Sequence, residues 1–190
     1  MLVKMISKDL KIYLDENENM ETNVLKTEKH INDELINLSK KLNEVFLNEE
    51  VEIVKMNSAA DLFSVDLLNL IEFKFNVQQL EFKAYEGQLT KQEVEILKDL
   101  SKPIGGKHVI LIDGIIISGN THDYLSRILL QRKPKSLSIV CIGTKDESKI
   151  ASLPSIYSLF NFGNEWIEGY GIGNKRNSIH RRLVDMKKKS

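Results

Sequence analysis

The chain has 190 residues, 42% of them hydrophobic and 28% charged, a balance that suits one soluble domain with a single core and small appendages. Lys plus Arg and Asp plus Glu both number 27, so no net field draws nucleic acid or an anionic membrane, and neither is expected as a partner. The one cysteine, Cys141, excludes an intrachain disulfide or a zinc cluster and reads as a buried thiol in a reducing cytoplasm, while no stretch approaches the ~20 apolar residues of a membrane span and no signal-peptide core is visible.

In chain order, Leu2–Leu14 alternates loosely and predicts one or two short strands, and Asp15–Asn23 is a polar connection, so residues 1–23 read as an arm and linker. Thr27 opens an amphipathic helix with Ile31, Leu35, Leu38, Leu42, Val45 and Phe46 on its apolar stripe. Val51–Met56 is a buried strand, Asn57–Asp61 a small polar loop, and Leu62–Ile71 a second helix. Val77–Tyr85 and Glu93–Leu97 flank the polar stretch Glu86–Gln92 as the two arms of a hairpin. Lys98–Lys107 is a turn, and His108–Ile112 has the unbroken apolar character of a strand covered on both faces. A helix follows, with Tyr124, Leu125, Ile128 and Leu129 at helical spacing, and Lys133-Pro134 stops it. Ser136–Ile142 and Leu153–Phe162 add two more strands, joined by the loop Gly143–Lys149. Lys187–Lys189 closes residues 176–190, which read as a solvated basic tail. This order predicts an α/β domain over residues 24–175 with a mainly parallel sheet flanked by helices.

Open sheets of this kind take ligands beyond the carboxyl ends of their strands, where three loops fall: Asn57–Asp61, Asp113–Thr121 and Gly143–Lys149. In the second, Ser118-Gly119-Asn120-Thr121 joins a strand to a helix, an arrangement that aims backbone N–H groups at one spot and suits a phosphate. Taken alone, it fits an ordinary strand-to-helix turn equally well. Lys145 alone reads as a surface lysine, and Trp166 as a partly buried packing residue. His30, His108, His122 and His180 are scattered without metal-ligand spacing, and Asp123 reads as a helix-dipole partner.

Five stretches in one order carry a family resemblance: Glu95–Leu100 (EILKDL), the anchor His108–Leu130, Arg132–Ser136 (RKPKS), Lys145, and Trp166–Gly171 (WIEGYG). From about Leu25 to Gly173 the chain resembles the hypoxanthine-guanine phosphoribosyltransferases of the type I phosphoribosyltransferase superfamily. The resemblance implies that family's fold, with a small hood built from the terminal segments. It also implies transfer of ribose 5-phosphate from phosphoribosyl pyrophosphate to a purine nitrogen, with magnesium on the pyrophosphate, in a cytoplasmic homodimer or homotetramer. On the family pattern Ser118, Gly119, Asn120 and Thr121 would hold the 5′-phosphate, Lys145 would donate to the purine oxygen, and Trp166, with Ile167 beside it, would stack on the base.

Other positions depart from that pattern. The acidic pair reads Asp113-Gly114, which leaves Asp113 as the sole ribose-side carboxylate; the proton-accepting aspartate is Ile117; the magnesium-side aspartate is Gly173. The pyrophosphate loop reads Asn57-Ser58-Ala59 without its lysine, and the mobile loop's Ser-Tyr pair reads Ala84-Tyr85. Glu168, Asp146 and Arg176 are the nearby groups able to fill such gaps. No catalytic or metal-ligating residue is therefore assigned, and magnesium is expected only if transfer survives. Because a positioned base contributes roughly 10²–10⁴-fold in rate, the resemblance leads to a purine-nucleotide-binding protein with weak or no transfer activity. The alternatives are an active enzyme making inosine or guanosine monophosphate in purine salvage, and an interaction module that binds no nucleotide.

Overall fold

The structure is a computed structural model that describes residues 20–56, 60–85, 93–145, 150–173 and 180–188. Its elements are β1 (Met20–Lys26), α1 (Glu28–Val45), β2 (Glu50–Met56), α2 (Asp61–Leu68), β3 (Lys74–Tyr85), β4 (Glu93–Lys98), β5 (His108–Ile116), α3 (Asn120–Leu130), β6 (Ser136–Thr144), β7 (Ser155–Asn161), β8 (Ile167–Glu168) and β9 (Leu183–Lys188). The main sheet has six strands in the order β4-β3-β2-β5-β6-β7. All of its pairings are parallel except the β3–β4 hairpin.

Local chemistry sets these boundaries. Thr27 caps α1 by accepting the His30 N–H at 3.3 Å, and Ile31, Leu35, Leu38 and Leu42 face inward. The central strands alternate between two cores. Ile53, Ile110, Ile112, Val140 and Ile142 meet α1 and α2 on one face of the sheet, while Val54, Val109, Leu111, Ile139 and Cys141 meet Leu125 and Leu129 of α3 on the other. Both faces are therefore apolar, which is why these strands read as unbroken hydrophobic runs. Cys141 is fully buried, and that burial raises its thiol pKa well above the usual range.

A second sheet, β1-β9-β8, forms the hood. It corrects two expectations. Residues 20–23, assigned to a polar linker, belong to β1, and the supposed solvated tail contains β9, antiparallel to β1 from Met20↔Lys188 onward. Leu183, Val184, Asp185 and Met186 are buried there, so the basic run begins as the end of a strand. Leu183, Ile167 and Tyr170 pack into the main core. Tyr170 also donates its hydroxyl to Asp66 on α2 at 2.8 Å, and Arg181 pairs with the same carboxylate. Burial and the neighbouring Asp66 hold that hydroxyl protonated. The segments 1–19, 57–59, 86–92, 146–149, 174–179 and 189–190 lie outside the described residues; the one or two short strands expected in Leu2–Leu14 and the hairpin tip fall there.

At the opposite end of the sheet from the loops, Glu52 is buried among Lys107, Gln78 and Asn76, whose donors reach its carboxylate at 2.5, 2.8 and 3.2 Å. Burial alone raises its pKa, but the hydrogen bonds from Lys107 and Gln78 outweigh it, and the group titrates below the ordinary 4.5. A depressed folded pKa contributes stability that is full above the unfolded value and is lost as pH falls through the folded one. The melting temperature is therefore expected to fall as pH drops below about 4.5, and Glu52→Gln is expected to flatten that dependence in thermal melts recorded from pH 7 to 3.

Candidate functional site

In the main sheet β3 lies on one side of β2 and β5 on the other, so the chain reverses its direction of travel across the sheet at the β2/β5 boundary. Such a switch leaves a crevice beyond the carboxyl ends of the strands. The ends of β2, β5 and β6 stand side by side there, and the three loops named from the sequence leave from them.

The loop after β5 leads directly into helix α3. Gly119 adopts φ 73°, a left-handed conformation that a side chain resists, and it is the N-cap of α3. As a glycine, it offers no side-chain cap to that helix. Asn120 and Thr121, expected in the loop, form the first turn of α3. Ser118 lies between Ile117 and the cap; Ile117 itself is 61% exposed.

Asp113 lies near the end of β5, and its Oδ2 is 2.8 Å from Nε2 of His122, a buried residue in the first turn of α3. No sequence signal marks this pairing, because it depends on helix α3 folding back beside its own strand. Gly114 follows Asp113 and is buried. Asp123 pairs with Arg127 one turn on, at 2.7 Å.

Lys145 follows β6. Its backbone N–H donates to Ile116 at 3.0 Å, which places it against the start of the phosphate-loop candidate, and its ammonium donates to the Glu165 carbonyl at 2.7 Å. Trp166, the next residue after Glu165, is 67% exposed. Two contacts of Lys145 thus link the end of β5 to the Glu165–Trp166 peptide. Ile167, expected beside the base, instead turns its side chain into the main core. Asn57, Ser58 and Ala59, together with Asp146 and Arg176, lie outside the described residues, while Ala84 and Tyr85 end strand β3 opposite Val94 and Glu93.

Gly173 has φ 84°, and a Cβ built there would lie 2.6 Å from Cγ of Glu168. The missing carboxylate at this position is therefore matched by a backbone that favours glycine. Among the described residues no group of three or more His, Cys, Asp or Glu side chains is placed to hold a metal ion. Nor is any described helix long and apolar enough to cross a membrane.

Residues 22–173 match the model of the phosphoribosyl transferase domain. The chain belongs to the phosphoribosyltransferase family. Within it the chain is of the hypoxanthine-guanine type, with the type I fold. Over 124 residues it is 32% identical to the hypoxanthine phosphoribosyltransferase of Escherichia coli (strain K12), which covers 65% of this chain and 70% of that protein. A solved hypoxanthine-guanine phosphoribosyltransferase from Bacillus anthracis superposes with a TM-score of 0.80 at 25% identity, covering 89% of this chain and 99% of that one. A Staphylococcus aureus hypoxanthine phosphoribosyltransferase, 24% identical, has the same fold with a TM-score of 0.82 over 90% of this chain and 94% of that one. This phosphoribosyltransferase thus shares the type I fold of these enzymes.

Proposed function

We propose that the protein transfers a phosphoribosyl group from phosphoribosyl pyrophosphate to a 6-oxopurine, hypoxanthine or guanine, giving the nucleoside monophosphate as in purine salvage. The observation that carries this reading is the pair of contacts made by Lys145, whose N–H donates to the Ile116 carbonyl just ahead of Ser118–Thr121 and whose ammonium donates to the Glu165 carbonyl beside the exposed Trp166. The identity to the E. coli enzyme supports it. In this reading the N–H groups and hydroxyls of Ser118–Thr121 take the 5′-phosphate, Lys145 donates to the oxygen on the purine, and Trp166 stacks on the base. Asp113 takes a ribose hydroxyl through the oxygen that His122 leaves open. The bond from ribose C1 to pyrophosphate breaks as the bond to the purine nitrogen forms, and the purine's proton leaves to solvent, because Ile117 cannot accept it.

The described residues do not fit a resident magnesium ion. Asp113 shares one carboxylate oxygen with His122 and gives the other to the ribose in this reading, and Gly114 and Gly173 offer no carboxylate. Magnesium enters this reading only as part of the substrate, on the phosphates of phosphoribosyl pyrophosphate. A homodimer or homotetramer belongs to the same reading.

A second reading is favoured by Ile117 and Gly173: the cleft binds a purine nucleotide, and transfer is weak or absent. Both readings require the same base and phosphate contacts. Lys145→Ala is accordingly expected to weaken inosine monophosphate binding by about tenfold or more, since a charge-assisted hydrogen bond is lost. Thr121→Val is expected to weaken it less, and isothermal calorimetry measures both. Unchanged affinity in the two variants contradicts the site.

A further inference from the structure

We infer that Asp185, on the C-terminal strand β9, is a positioning residue for the purine side of the site. The inference rests on the proposed roles of Lys145 and Trp166. Asp185 is 2% exposed, and its Oδ1 accepts the backbone N–H of Trp166 at 2.9 Å. The carbonyl of that same peptide group, belonging to Glu165, accepts the Lys145 ammonium at 2.7 Å. One peptide is therefore gripped at both ends by opposite charges, in the order ammonium, C=O, N–H, carboxylate. Each charge polarises the amide toward the other, so the two hydrogen bonds reinforce one another.

Both groups assigned to the base hang on this peptide: the Lys145 head is anchored to its oxygen, and the Trp166 side chain leaves the Cα next to its nitrogen. The neighbouring backbone tightens the hold. Met186 N–H donates to the Trp166 carbonyl at 2.9 Å, and β9 pairs Asp185 with Ile167 on one side and Asn23 of β1 on the other. An exposed aromatic ring gains affinity as a platform only if it is held before the base arrives, because ordering it on binding subtracts from affinity. Asp185 provides that order without touching the ligand.

The test compares inosine monophosphate with ribose 5-phosphate, which lacks the base, by calorimetry on the full chain. Asp185→Ala is expected to weaken inosine monophosphate binding about tenfold, the scale of one charge-assisted hydrogen bond, and to leave ribose 5-phosphate affinity unchanged. It is also expected to lower the fluorescence anisotropy of Trp166, the only tryptophan in the chain. Asp185→Asn keeps a neutral acceptor for the Trp166 N–H and is expected to recover part of both the inosine monophosphate affinity and the anisotropy. Equal losses for both ligands, or an unchanged inosine monophosphate affinity in folded Asp185→Ala, overturn the inference.

Trp166→Ala separates the inference from the reading beneath it. If that variant keeps wild-type affinity for inosine monophosphate, the stacking role of Trp166 fails and the inference fails with it. If it loses affinity while Asp185→Ala does not, only the inference fails. Should Asp185→Ala not fold, hydrogen exchange of the Trp166 amide in the wild-type protein decides. Inosine monophosphate is expected to slow that exchange and ribose 5-phosphate to leave it unaltered; exchange indifferent to both overturns the positioning role.

Discussion

Ile117→Asp is expected to raise the rate of nucleotide formation from hypoxanthine and phosphoribosyl pyrophosphate by roughly 10²-fold, the lower end of what a positioned proton acceptor contributes. Ile117 immediately precedes Ser118 at the mouth of the phosphate-loop candidate, and its side chain is 61% exposed, so an aspartate fits there without disturbing the core. An isoleucine neither takes a proton nor stabilises positive charge developing on the ribose. Steady-state product formation by the two proteins measures the difference. An increase over a measurable parent rate supports the transferase reading, whereas turnover appearing from a silent parent supports the nucleotide-binding one. No change in a folded variant means that the reacting atoms do not pass beside residue 117. Gly173→Asp is a different case. The left-handed backbone and the nearby Glu168 side chain resist any Cβ there, so that substitution is expected to lower stability rather than restore activity.

The second large effect lies away from the site. Lys107→Met is expected to destabilise the protein far more than Glu52→Gln, although the two substitutions break the same 2.5 Å pair. Glu52 is fully buried, while the Lys107 side chain keeps 36% of its exposure. Losing the carboxylate frees a lysine that turns to water; losing the lysine leaves a carboxylate in the interior with only neutral amide donors. A stranded buried charge costs about 3–5 kcal/mol. For a chain of this length that is a fall in melting temperature of roughly 10 °C. Thermal melts at pH 7 and pH 3.5 check it, since protonating Glu52 at the lower pH removes the stranded charge and should narrow the gap between variant and parent. A gap that is equal at both values contradicts the explanation.

The central sheet was legible because its physics is local. Thr27 before an amphipathic stripe, apolar runs such as His108–Ile112, and the proline at 134 each mark an element without reference to the rest of the chain. The hood was less legible. Strand β9 carries Asp185 between apolar residues and runs into lysines, so it reads as a tail until β1, far away in sequence, pairs with it. The same limit applied within the site. Ser118–Thr121, Lys145 and Trp166 are singled out by the family resemblance, but His122 against Asp113, and Asp185 against the Trp166 amide, are contacts made only by the folded chain. Ile167 shows the converse: its place beside Trp166 in sequence suggested the base, and the strand alternation of β8 sent its side chain to the core instead.

Product formation from hypoxanthine and phosphoribosyl pyrophosphate, run beside calorimetric titration of inosine monophosphate with and without magnesium, tests the proposed transfer most directly. The proposal predicts slow inosine monophosphate formation that requires both substrates and magnesium, and that falls in Lys145→Ala. Tight inosine monophosphate binding with no product at any protein concentration contradicts it, and identifies the cleft as a nucleotide-binding site without transfer.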